Sequence, residues 1–144
     1  MKYVYLFLLL IITLPAMANN KVSGEDIVQK ATQYSGIRYT PGGSNPKRGF
    51  DCSGFVSWVI NHSGWNVGRL GAQGLCNICT PVSAANVRPG DLVFFVGTYD
   101  TPGVSHVGIY VGDGWMIHAG NPIGYVNLNT NYWQSHFYTY GRLP

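Results

Sequence analysis

The chain has 144 residues, with nine Lys and Arg against six Asp and Glu, for a formal net charge of +3. Charged residues make up only 10% of the chain and the basic ones are scattered, which excludes a nucleic-acid binder built on a basic patch. The length suits one domain with one core, and no internal repeat, low-complexity tract or linker breaks it.

The chain opens "MKYVYLFLLLIITLPAMANN". Lys2 supplies a positive start, Tyr3 to Leu14 an apolar run, and Ala16-Met17-Ala18 a small-x-small cleavage site. That is the layout of a secretory signal peptide over residues 1–18. The run is shorter than the roughly 20 residues of a membrane span, so no stable membrane anchor is expected; a retained anchor is the alternative. No cysteine lies near the cleavage point, which argues against a lipoprotein. The reading predicts export, extracellular or periplasmic, and a single mature domain over residues 19–144. Without Lys2 the formal charge falls from +3 to +2, a mild balance that suits an anionic surface.

Ser23 and Asp26 form a capping-box pattern ahead of Ile27, Val28, Ala31 and Tyr34 at helical spacing, and Gly36 ends this helix. "YTPGGSNPKRG" is a loop. Asp51 is an N-cap for a second helix that turns Phe55, Val56, Val59 and Ile60 toward a core and stops near Gly64. Residues 65–90 read as irregular, with one short helix over Ala72 to Ile78. "RPGD" predicts a type II turn centred on Pro89 and Gly90. Short apolar runs follow: Leu92–Val96, Val107–Val111, Trp115–Ile117, Tyr125–Leu128 and Tyr138–Tyr140. Gly, Asn and Asp bound them, which favours strands. Helices followed by consecutive strands predict an α+β fold, N-terminal helices packed on a central antiparallel sheet.

Cys52 falls at the first turn of the second helix. The macrodipole and the unpaired amides there favour thiolate, and a lowered thiol pKa is what a nucleophile needs. By position alone a structural cysteine remains open. Four histidines could supply a base. A three-residue loop, Gly112-Asp113-Gly114, would set Val111 opposite Trp115 and Gly108 opposite His118. His106 then lies on the same face as His118, diagonal to it and within side-chain reach. A two-residue loop would turn His118 to the opposite face. His62 reads as a solvated helix-end residue and His136 as a packing or surface residue.

"DCSGFV", "GDLVFF", "SHVGIYVG" and "MIHAG", in this order, resemble the NlpC family of secreted cell-wall cysteine endopeptidases, from about Ile27 to Arg142. The resemblance implies a compact papain-like fold. It implies Cys52 as nucleophile, His106 as general base and then acid, and His118 as the third group that orients His106. Tyr39, in "YTPGG", matches a family tyrosine beside the nucleophile, as an oxyanion donor with the Cys52 amide or as a pocket wall. Asp51 and Ser53 match positions that in some members hold the amino end of the substrate's peptide stem; Asp51 as a plain N-cap is compatible with that. The substrate implied is the peptidoglycan stem peptide, cut between γ-D-glutamate and the diamino acid through a thioester. No metal or organic cofactor is implied, and the domain is expected to act as a monomer. Rival readings are an amidase of the sugar–peptide bond or an acyltransferase on the same thiol fold, and an inactive wall-binding protein. The resemblance leaves Cys76-Asn-Ile-Cys79 unexplained. A local disulfide fits an exported protein, with free thiols or a redox or metal role as alternatives. Val67 to Ala72 departs from the family pattern around Arg69, where Pro and Thr are common.

Overall fold

The computed structural model describes residues 23–144, so the signal-peptide reading lies outside the described residues. Helix α1, Gly24–Thr32, starts on the expected box: Asp26 N–H donates to Ser23 Oγ, and Ser23 N–H donates to Asp26. It buries Ile27 and Ala31. A small hairpin, β1 (Ser44–Asn45) with β2 (Gly49–Phe50), leads into α2, Cys52–Asn61. Asp51 caps α2 by accepting from Gly54 N–H at 2.7 Å. Seven of its ten residues are buried, from Ser53 through Ile60. Gly54 lets this helix close on the hairpin, because a Cβ there would collide with the Gly43 carbonyl oxygen.

Helix α3, Ala72–Ile78, has the bounds read from the sequence. The stretch after it is not wholly irregular: Thr80–Val82 forms β3. Strands β4 (Leu92–Val96), β5 (Val104–Gly112), β6 (Trp115–His118) and β7 (Gly124–Asn127) follow, then α4 (Asn131–His136) and β8 (Phe137–Arg142). The six-stranded sheet has the order β3-β8-β4-β5-β6-β7, and each pairing is antiparallel. This is the α+β, papain-like arrangement.

One face of the sheet carries Leu92, Phe94, Val107, Ile109 and Ile117 against Ile27, Phe55, Val56, Val59 and Ile60. Each such fully buried side chain contributes about 1.5–3 kcal/mol relative to exposure. The other face carries a smaller cluster, Val93, Phe95, Met116 and Leu128, with Trp133 of α4 packed on it. The "RPGD" turn forms as expected, with Gly90 at φ +93° and Asp91 N–H donating to the Arg88 carbonyl. Asp91, buried, accepts from Arg142 Nε at 2.9 Å and from its terminal nitrogen at 2.8 Å, tying the start of β4 to the end of β8.

The β5–β6 hairpin departs from the expected turn. Gly112, not Val111, pairs with Trp115, so the loop is the two residues Asp113 and Gly114. Their φ values of 52° and 81° suit a primed turn, whose twist matches the strands. The register then slips by one residue between Tyr110 and Gly112, and Tyr110 pairs with Met116. The bulged residue, Val111, cancels the change of face that a two-residue loop would have imposed. The same-face relation of His106 and His118 therefore holds by a different route.

Candidate active site

Four elements build the site. Helix α2 brings Cys52 to its first position, with Asp51 before it and Ser53 after. The Tyr39 backbone bridges Phe50, which carries the phenol toward Cys52. Strand β5 supplies His106 and β6 ends on His118. The structure thus gathers all six sequence-predicted residues at one end of α2 and the adjoining strands. His62 caps the far end of α2, stacked on Trp58 at 4.0 Å. His136 sits at the end of α4 and bonds the Val96 carbonyl at 2.8 Å.

His106 Nε2 and His118 Nδ1 are 2.8 Å apart, a direct hydrogen bond between the rings. That bond uses Nε2 of His106 and leaves Nδ1 as its other ring nitrogen. Gly108 makes the approach possible: a Cβ there would stand 2.6 Å from Met116 Sδ and 3.3 Å from the His118 Cβ. Burial, and then the neighbouring His118, pulls the pKa of His106 down to about 3, and burial pulls His118 down to about 4. Both rings are neutral at pH 7.

The thiol departs from expectation. Its pKa is raised, first by burial and then by the Asp51 carboxylate. The Val107 and Ser53 amides and the Arg69 guanidinium oppose the rise without overcoming it. The helix terminus is therefore outweighed by desolvation. The resting pair is a neutral thiol and a neutral imidazole, and the contact with the Val107 amide sets the sulfur beside the peptide that follows His106.

Tyr39 is 39% exposed, and burial raises its pKa, with Cys52, Asp51 and Tyr99 adding to the rise. Its phenol therefore stays protonated and able to donate. Asp51 does more than cap. Arg69 reaches it with one nitrogen, at 2.7 Å from Oδ1 and 2.8 Å from Oδ2, and its other terminal nitrogen donates to Ser53 Oγ at 2.8 Å. Arg69 is a site residue that the sequence reading left aside.

Trp133 is a second residue missed. Its indole lies over His106 at 5.5 Å between ring centres and 29° between planes, and meets His118 edge-on at 5.2 Å and 87°. A Trp in an isolated aromatic stretch carries no spacing signal. The one local clue is Thr130 three residues earlier, whose Oγ1 accepts from Trp133 N–H as the α4 N-cap.

Cys76 and Cys79 are free thiols, against the disulfide reading. Cys79 leaves α3 in an extended conformation and packs against Gly141 of β8, so its side chain is committed to the sheet. Burial, with Cys76 and Asp91 adding to it, pushes its pKa up to about 12. Among the described residues no group of three or more His, Cys, Asp or Glu could hold a metal, and no helix is long and apolar enough to cross a membrane.

A thiol at a helix N-terminus, held beside the strand backbone that carries a histidine bonded to a second imidazole, fits the papain-like cysteine-hydrolase class. The chain belongs to the NlpC/P60 family, whose model matches residues 36–142. It is 41% identical over 120 residues to the bifunctional muramidase/DL-endopeptidase CwlT of Bacillus subtilis, covering 83% of this chain and 36% of that protein. It is 40% identical over 113 residues to the gamma-DL-glutamyl hydrolase of Bacillus subtilis, covering 76% of this chain and 27% of that one. A solved lipoprotein-like NLP/P60 structure from Staphylococcus aureus superposes with a TM-score of 0.79 at 36% identity, over 91% of this chain and 44% of that one. The chain thus spans about a third of the length of the curated relatives.

Proposed function

We propose that this chain is a secreted cysteine endopeptidase of peptidoglycan, cutting the γ-D-glutamyl–diamino acid bond of stem peptides through a thioester. The observation that carries the reading is the 2.8 Å bond between His106 and His118, within a site that also holds Cys52. The relatives named DL-endopeptidase and gamma-DL-glutamyl hydrolase support the choice of bond.

The chemistry starts from neutral partners. As Cys52 Sγ attacks the scissile carbonyl carbon, His106 Nδ1 takes the thiol proton, so sulfur becomes nucleophilic as it reacts. The carbonyl oxygen gains negative charge, which the Cys52 amide and the Tyr39 hydroxyl stabilise. Collapse breaks the C–N bond, His106 gives the proton to the leaving amine, and a thioester remains. Water then attacks the thioester with His106 again as base, releasing the carboxylate and restoring the thiol. His118 holds the His106 ring throughout by its hydrogen bond. Asp51 and Ser53, with Arg69 bridging them, form the polar wall against which the amino-terminal part of the stem peptide lies. Arg69 balances the Asp51 charge, so that wall recognises by hydrogen bonding more than by net charge.

The test is digestion of purified peptidoglycans of both diamino acid types, with fragments identified by mass spectrometry. The expected fragments carry a new diamino acid amino terminus, and Cys52→Ala releases none. Release of whole stem peptides from the sugar would identify an amidase instead.

A further inference from the structure

Helix α4 is short and buries no residue fully, yet side chains fix it at both ends. Thr130 caps its start, Gln134 Nε2 donates to the Leu128 carbonyl at 2.8 Å, and His136 bonds the Val96 carbonyl at 2.8 Å. These anchors tie it to the chain after β7 and to the end of β4. A helix that contributes so little to the core has another use for this fixation. Its inward residue is Trp133, which touches Phe95 at 4.7 Å and both imidazoles.

We propose that Trp133 is a positioning residue: its indole fixes the ring plane of His106, so that Nε2 stays on His118 and Nδ1 stays free to take the Cys52 proton. The geometry supplies the reason. A His side chain has a broad second torsion, and one hydrogen bond fixes one ring atom but leaves the plane free to rock. A near-parallel indole on the face of His106 restricts that rocking. The edge-on contact with His118 holds the partner ring at a right angle, so each imidazole meets the indole in a different preferred geometry. The same ring excludes water from one side of the pair, in line with the low pKa values of both histidines.

The proposal rests on the reading of Cys52 as nucleophile and His106 as base. Other titratable groups around His106 are His118 on β6 and Cys52 on α2, with Tyr132 and His136 on α4 beyond the indole; β4 presents the apolar Phe95. The experiment compares wild type with Trp133→Leu and Trp133→Phe. It uses two readouts: steady-state release from peptidoglycan, and the pH dependence of Cys52 alkylation by iodoacetamide. Misorienting a base costs about 10- to 100-fold. Trp133→Leu is therefore expected to lose that much in kcat with KM little changed, and Trp133→Phe to recover most of it. The acid limb of kcat should move to higher pH in Trp133→Leu, because water then reaches the rings, and the alkylation profile should move with it.

A Trp133→Leu protein with kcat within twofold of wild type and an unshifted profile overturns the proposal. If Trp133→Leu does not fold, Trp133→Phe and Trp133→Tyr decide: a stacked ring of either kind must keep the wild-type profile, and a shifted one refutes the role. If wild type releases nothing from peptidoglycan, the hydrolase reading falls. The alkylation profile then judges Trp133 alone, a shift in Trp133→Leu supporting it and no shift refuting it.

Discussion

Two neutral histidines, His118 buried and His106 partly so, make the stability of this domain depend on pH in a way that can be worked out. Their folded pKa values are about 3 and about 4, below the ordinary 6.5. Above pH 6.5 both states of the protein carry neutral rings, and the full stability is present. As pH falls through 6.5 the unfolded chain takes up protons that the folded one refuses. Stability is then lost progressively until the folded values are reached. At pH 5.0 each histidine lies about 1.5 pH units below its unfolded value, and at 1.36 kcal/mol per unit the loss is about 2 kcal/mol per ring. The pair together costs about 4 kcal/mol, against a total of about 5–15 kcal/mol for a typical domain. Urea unfolding at pH 7.5 and 5.0, followed by tryptophan fluorescence, measures the difference. Wild type should lose about 4 kcal/mol between the two conditions, His118→Asn about half of that, and the double variant with His106→Asn little. Each variant serves as its own reference, so any offset from the substitution cancels. A wild-type loss under about 1 kcal/mol, or variants that lose as much as wild type, would refute the burial argument.

Other consequences are as concrete. His118→Ala should lower kcat strongly, His118→Asn or Gln should keep more of it because an amide oxygen still accepts from His106, and His106→Ala should cost most; near wild-type kcat in His118→Ala would place the third group elsewhere. Gly108→Ala should destabilise by about 1–3 kcal/mol and lower activity more than stability explains, because its methyl must displace Met116 or His118; an unchanged urea midpoint and rate would contradict the close packing there. Alkylation of the denatured, unreduced protein should count three thiols, and Cys76→Ser with Cys79→Ser should leave kcat intact; a count of one would restore the disulfide.

The parts of this fold legible in the sequence are those that local chemistry determines. Ser23 with Asp26, and Asp51 with its helix, mark the start of α1 and α2 because a cap is a contact between near neighbours. The main strands show as apolar runs between turn residues. What escaped is specified at a distance. Thr80–Val82 becomes a strand only because β8 offers it an edge. Arg69 reaches Asp51 across 18 positions of chain. Helix α4 is too short for a periodicity, so Trp133 gave no sign of facing the imidazoles. The order of Cys52, His106 and His118 was readable from motifs, but the direction of the thiol pKa was not. It depends on how deeply the sulfur is buried, a property of the packed domain and not of the helix position.

The bulge at Val111 gives the β5–β6 hairpin one residue in reserve. What holds His118 beside His106 is the pairing of Tyr110 with Met116 below the bulge, not the number of residues above it. Deleting Val111 would close a regular two-residue hairpin with that pairing intact, whereas pairing Val111 with Met116 at unchanged length would set His118 opposite Ile109, sending an imidazole into the main core and an isoleucine toward His106. Residues added between Gly112 and Trp115 would lengthen the tip and leave the register alone. Loss of the bulged residue should therefore leave activity in place, while a change that draws Val111 into the ladder should abolish it.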